Sequence, residues 1–164
     1  MVYRFLIFFV LLGCTAEQTL SVEQRSVPIE LMGLKASEMI DITNQYRINL
    51  GLPILKTSMV LYDIAVLRSN YMANQSSIGH YGFYDGAVQS NANYYGESVS
   101  YNYNSATDNI EGFHNSAEHW AMFINPIYEY IAISCNGNYT TVLFAKWNVN
   151  SKKLEFVELE ILVK

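Results

Sequence analysis

The stretch Tyr128-Glu129-Tyr130-Ile131-Ala132-Ile133-Ser134-Cys135-Asn136-Gly137-Asn138-Tyr139-Thr140-Thr141-Val142-Leu143-Phe144-Ala145-Lys146-Trp147 reads as two strands joined by a tight turn. Tyr128–Ser134 and Thr140–Trp147 are rich in β-branched and aromatic residues. Asn136-Gly137-Asn138 between them tolerates the positive φ that a short hairpin turn demands. A further apolar run, Leu154–Leu162, follows the Asn150-Ser151 break and reads as a third strand of the same antiparallel meander.

Upstream the period changes. Met39, Ile40, Thr43, Tyr46, Arg47 and Leu50 recur at helical spacing, Ser37 can cap the start, and Gly51 with Pro53 stops the run. Leu61, Ile64, Ala65, Arg68, Tyr71 and Met72 mark a second helix over 59–74, capped at Thr57 or Ser58. The segment Ser76–Tyr103 is rich in Ser, Asn, Gly and Tyr and reads as loop, with one strand around Gly96–Ser100. A third helix is expected over Ala106–His114, with a short helical turn after Ser116. Helices first and an antiparallel meander last give an α+β fold with the helices at 38–50 and 59–74 against one sheet, because alternating βα units are absent.

The chain has 164 residues, of which 51% are hydrophobic and 15% charged, enough for one domain with its own core and too apolar for wholesale disorder. The formal charge is −5. No Lys or Arg lies between Ser69 and Ala145, whereas Asp85, Glu97, Asp108, Glu111, Glu118 and Glu129 do. Nucleic acid is therefore excluded as a partner of this middle stretch, since a phosphate backbone is held by clustered cations.

Met1–Cys14 is an address. Arg4 precedes an unbroken apolar run, Phe5–Leu12, too short to span a bilayer and suited to a signal peptide. Its end, Leu11-Leu12-Gly13-Cys14, resembles a bacterial lipobox, in which the Cys is lipidated and becomes the first mature residue. The other reading is an ordinary signal peptide cut near Gly13 or Ala16. Residues 1–13 are thus expected to be removed, 14–35 to form a tether with Cys14 as lipid anchor, and 36–164 to form the domain. Cys135 then has no disulfide partner and reads as a small buried hydrophobe.

The histidines are His80, His114 and His119. No HExxH, CxxC, GxSxG, P-loop or GxGxxG accompanies them. Their context is more informative. Asn44-x-x-Arg47 precedes Gly51-Leu52-Pro53-x-Leu55 and the helix from Leu61 to Met72. Then come His80 with Asp85-Gly86, Gly96-Glu97-Ser98-Val99, and Phe113-x-x-Ser116-x-x-His119 with Ile124-Asn125-Pro126. Over Ser37–Trp147 this order resembles the CAP superfamily (cysteine-rich secretory, antigen 5 and pathogenesis-related proteins), and most of all its bacterial SCP-like secreted members. The resemblance implies an α-β-α sandwich with a central antiparallel sheet and a cleft holding two histidines and acidic partners. His80 matches the first cleft histidine, Glu97 the acid of the Gly-Glu-Asn motif, and His119 the histidine of the bacterial Ser-x-x-His pattern. Ser116 and Ser98 would support them from behind.

Zn²⁺ or another divalent cation, weakly held by His80, Glu97 and His119, is the cofactor expected of such a cleft. Asn44 and Arg47 are expected to pin the first helix, and Asp85-Gly86 to make a turn after His80. Tyr and Asn around 91–95 and 101–104 would form an adaptable rim or pack half-buried. The functional expectation is a lipid-anchored binding domain of a bacterial cell envelope, on the outer surface or outer membrane, or else secreted. Its ligand would be a lipid, a glycan or a host protein. The alternative is a metal-dependent hydrolase using the same cleft, with Glu97 or a histidine as general base.

Overall fold

A computed structural model of the chain describes residues 25–148. The elements, in chain order, are α1 (Ile29–Met32), α2 (Leu34–Asn49), β1 (Lys56–Thr57), α3 (Met59–Gln75), α4 (Phe83–Ser90), β2 (Tyr94–Tyr101), α5 (Ala106–His114), α6 (Ala117–Phe123), β3 (Tyr130–Asn136) and β4 (Tyr139–Lys146). Helices α2 and α3 form where the apolar spacing predicts them. Their buried stripes are Ala36, Met39, Ile40, Thr43 and Arg47 in α2, and Leu61, Ile64, Ala65, Arg68, Ser69 and Met72 in α3. Ser58 caps α3, its side chain accepting from the Leu61 N–H.

The sheet order is β1-β3-β4-β2. The Asn136–Tyr139 hairpin pairs β3 with β4, and β2 runs antiparallel on the far side of β4 from Tyr94↔Lys146 to Tyr101↔Tyr139. The fold is α+β with layers on both sides of this sheet. One core cluster joins α2, α5 and α6 to Ile131, Ile133, Val142 and Phe144; the other joins α3 to Tyr130, Ala132, Leu143 and Ala145. Two faces of alternating side chains on β3 and β4 therefore feed two cores.

Four local expectations change. The sheet is antiparallel except at β1, whose two residues pair parallel with Tyr130 and Ile131. Residues 83–90 form helix α4, so Asp85-Gly86 is not a turn but lies in its first half. The strand expected around Gly96–Ser100 extends over Tyr94–Tyr101. Residues 25–35, expected as tether, already belong to the folded unit. Val27 is 5% exposed, its N–H bonds Thr57 Oγ1 at 3.0 Å, and α2 starts at Leu34 rather than near Ser37. The strand expected at Leu154–Leu162, the apolar run and Cys14 lie outside the described residues. Among the described residues no helix is long and apolar enough to cross a membrane.

Arg47 and Asn44 act as expected. Arg47 is fully buried and donates to the carbonyls of Pro53, Phe123, Asn125 and Tyr128. Burial pulls its guanidinium below the ordinary value. Asn44 clamps Leu55 from both sides, Nδ2 donating to the carbonyl and Oδ1 accepting from the N–H. Together they hold α2, the β1 approach and the α6–β3 connection in one frame.

Candidate functional site

Strand β2 is the end strand of the sheet, and the candidate site is built around it. Gly96 lets the chain lie close under its neighbours: a Cβ there would come within 2.6 Å of the Tyr128 hydroxyl and 3.2 Å of Met122 Sδ. Its neighbour Glu97 turns to the opposite face, the α3 face, and its side chain is completely buried.

A carboxylate so buried needs cations or donors. Glu97 has three. Its Oε2 accepts from Arg68 Nε at 2.9 Å. Its Oε1 accepts from Arg68 Nη2 at 3.3 Å and from His80 Nδ1 at 2.9 Å. Arg68 Nη2 also donates to the Gly79 carbonyl at 3.0 Å, so one guanidinium fixes both the carboxylate and the loop that carries His80. The His80 side chain is 54% exposed. Because a carboxylate only accepts, His80 Nδ1 carries the hydrogen of this bond.

The second histidine stands on another element. His119, on α6, has Nδ1 2.9 Å from Ser116 Oγ and its ring edge-on to Phe113 at 5.5 Å. These residues, with Ile78, Val99 and Tyr103, line an open cleft of about 350 Å³. Ile78 is two residues before His80, and Val99 two after Glu97. The cleft and the Arg68–Glu97–His80 cluster are therefore adjacent parts of one region.

The sequence expectation is met in its first half. His80 and Glu97 meet directly, whereas among the described residues no bond joins His119 to either. Ser116 supports His119. Ser98 does not reach a histidine: it is fully buried and its Oγ has no hydrogen-bond partner. His114 belongs elsewhere, stacked on Tyr46 at 5.4 Å and edge-on to Trp120 at 4.5 Å. Cys135 is free and half-buried against the larger core.

The expected metal trio does not fit this arrangement. Among the described residues no three His, Cys, Asp or Glu are gathered to hold an ion. Glu97 has both oxygens engaged, chiefly by a guanidinium that already supplies the positive charge. An ion bound directly by Glu97 would compete with Arg68 for the carboxylate.

Arg68 is the residue that the motif reading passed over, although its signal was visible. It is a cation on the buried stripe of an amphipathic helix, and such a position requires acceptors for its donors, which Arg47 finds in main-chain carbonyls and Arg68 in the Glu97 carboxylate. The excess of negative charge inferred for 69–145 fails locally for the same reason, since its nearest cation sits one residue outside that stretch and folds back onto Glu97.

An α+β domain with helical layers on both faces of the sheet, an end strand carrying a buried glutamate, and a cleft walled in part by His119 is an α-β-α sandwich. The sequence profile described as the cysteine-rich secretory protein family, CAP, matches residues 40–145. The chain belongs to that family. Solved structures agree on the fold. An extracellular protein containing an SCP domain from Bacillus anthracis aligns with a TM-score of 0.65 and 19% identity, covering 74% of this chain and 45% of that one. A cysteine-rich secretory protein from Staphylococcus aureus gives 0.65 and 19%, covering 73% and 40%. An outer surface protein of Borrelia burgdorferi gives 0.62 and 19%, covering 68% of this chain and 92% of that one. The chain thus spans less than half of the first two. No curated protein sequence matches it.

Proposed function

We propose that this chain is an extracytoplasmic binding domain, anchored to a bacterial envelope through Cys14, whose cleft seats an apolar group of its ligand. The observation that carries the reading is the open cleft between Ile78, Val99, Tyr103 and Phe113, with the Ser116–His119 pair as its polar end. The lining is mixed: Ile78, Val99 and Phe113 give apolar surface beside the polar atoms of Ser100, Ser116 and His119, so a ligand with an apolar chain and a polar end matches it. The structural relatives, an extracellular protein and an outer surface protein, support the location.

The test uses 1-hexanol, an apolar chain with one hydroxyl, added to the full chain while side-chain NMR signals are followed. The signals of Phe113 and His119 should move together and saturate, and His119→Ala should weaken binding by about tenfold, the loss of roughly one hydrogen bond. Unmoved Phe113 and His119 signals at millimolar probe would defeat the reading.

A hydrolytic second reading rests on His80, whose Nδ1 is held by Glu97 and whose side chain is half-exposed. That geometry suits a general base. Hydrolysis of an activated ester that His80→Ala abolishes, with hexanol binding intact, would establish it.

A further inference from the structure

One polar group of the cleft wall has its hydrogen already committed. Ser100 donates its hydroxyl hydrogen to Asn109 Oδ1 at 2.6 Å. Asn109 is fully buried, and its Nδ2 donates to Thr140 Oγ1 at 3.0 Å. Thr140 Oγ1 in turn donates to Cys135 Sγ at 3.5 Å. Every donor in this chain of bonds points away from the cleft. What Ser100 offers a ligand is therefore a lone pair. Turning its hydrogen toward a ligand would leave Asn109 Oδ1 buried without a donor, a state that native structures avoid.

The adjoining wall carries charge of mainly one sign. Asp108 and Glu111 on α5 and Glu118 on α6 are exposed, and Glu111 and Glu118 directly precede the cleft residues Gly112 and His119. Among the described residues no ion pair neutralises these three acids. Lys35 meets the same wall, its Nζ donating to the Tyr103 carbonyl at 2.6 Å, and offsets one of them. The rings of Tyr103 and Phe113 also line the cleft and favour a cation over an anion. A carboxylate would bring acceptors and negative charge to a wall that holds both. An ammonium brings donors and positive charge.

We propose that the cleft takes a free aliphatic amine, with its ammonium donating to Ser100 Oγ and its hydrocarbon tail lying against Ile78 and Phe113. This names the ligand class for the cleft proposed above and rests on that reading. The tail end favours a free amine over a lysine of a partner protein, because a lysine would bring its polar peptide backbone to those apolar side chains.

The test titrates the full chain at pH 7.5, where an alkylamine is charged as a Lys side chain is. The probes are hexylamine, 1-hexanol, hexanoate and trimethylhexylammonium, and the side-chain NMR signals of Phe113 and His119 are followed. Hexylamine should bind at least about tenfold tighter than hexanol, and hexanoate more weakly than either. The trimethylated probe keeps the charge and has no N–H, so it should bind about tenfold more weakly than hexylamine. Ser100→Ala removes the acceptor and should bring those two probes to within about twofold of each other. If that variant does not fold, the order of the probes on the wild type decides alone. A capped lysine, with blocked amino and carboxyl ends, should bind at least about tenfold more weakly than hexylamine; equal binding would overturn the free-amine assignment. The proposal is also overturned if hexanoate or the trimethylated probe matches hexylamine. Hexanol binding without a preference for hexylamine would sink this inference and leave the cleft reading standing. Unmoved signals with every probe would sink both.

Discussion

Removing Arg68 should cost more than any histidine substitution in this region. In Arg68→Met the Glu97 carboxylate, whose side chain is completely buried, loses its bidentate partner and keeps only His80. The Gly79 carbonyl loses its donor as well. Breaking a buried pair by deleting one partner costs about 3–5 kcal/mol, because the remaining charge stays desolvated. At roughly 2–4 °C per kcal/mol for a domain of this size, Tm should fall by about 6–20 °C. Urea unfolding and calorimetry at pH 7 measure both quantities. The double variant Arg68→Met with Glu97→Leu removes both charges and should return to within about 1 kcal/mol of wild type, since apolar replacement of a buried pair is often neutral. His80→Ala, at a half-exposed side chain, should cost no more than about 1 kcal/mol. A cost below about 1 kcal/mol for Arg68→Met would refute the idea that the pair holds this region together. A double variant no better than the single one would shift the weight to the Gly79 bond.

Tyr95→Phe should stabilise the domain by about 1 kcal/mol, because the hydroxyl is buried without a hydrogen-bond partner. Burial, with the Glu97 charge adding to it, pushes the Tyr95 phenol up. The folded state thus holds its proton longer than the unfolded state. Its contribution is complete below about pH 10 and is lost as pH rises through the folded value, so Tyr95→Phe should flatten part of the alkaline fall in urea midpoints. Gly112→Ala places a methyl group against the Tyr103 ring and should cut hexanol binding several-fold with little loss of Tm, as titration and calorimetry on the same sample would show. Cys14→Ala should leave uncleaved or unanchored protein, and intact mass of the wild type should show an acylated species; unmodified, water-soluble wild type would defeat the anchor.

What could be read in advance was what the local period encodes. Helices α2 and α3 were legible because their buried residues recur every three or four positions, and the β3–β4 hairpin because Asn136-Gly137-Asn138 marks its turn. Helix α4 was not. Only Gly86 and Ser90 of its residues are buried, and it is seated by a contact that no local pattern records: Gly86 has no side chain where the Tyr95 hydroxyl and Ile64 press in. The β1 strand is two residues long and exists only through its pairing with Tyr130 and Ile131. Residues 25–33 looked like tether because they end a polar and mixed stretch broken by Pro28 and Gly33, yet Val27 is buried beside Thr57 and the Arg25 carbonyl accepts from the Met59 N–H.

The site divides along the same line. The meeting of His80 and Glu97 came from the order of the motif blocks, since nothing local links residues 17 positions apart. Arg68 could have been placed by physics alone. Spacing set it on the buried side of α3 with Ile64, Ala65 and Met72, and a guanidinium in that position must find acceptors, here the Glu97 carboxylate and the Gly79 carbonyl. Once that pairing is made, Glu97 reads as the group that orients His80. The ligand trio assumed that Glu97 was free to donate its charge, whereas the chain supplies the cation itself. The charged half of the region is then a closed structural unit that orients His80. Openness is left to the other half, where His119 and Phe113 face the cleft. That division, a closed charged unit beside an open cleft, is what the proposed binding role draws on.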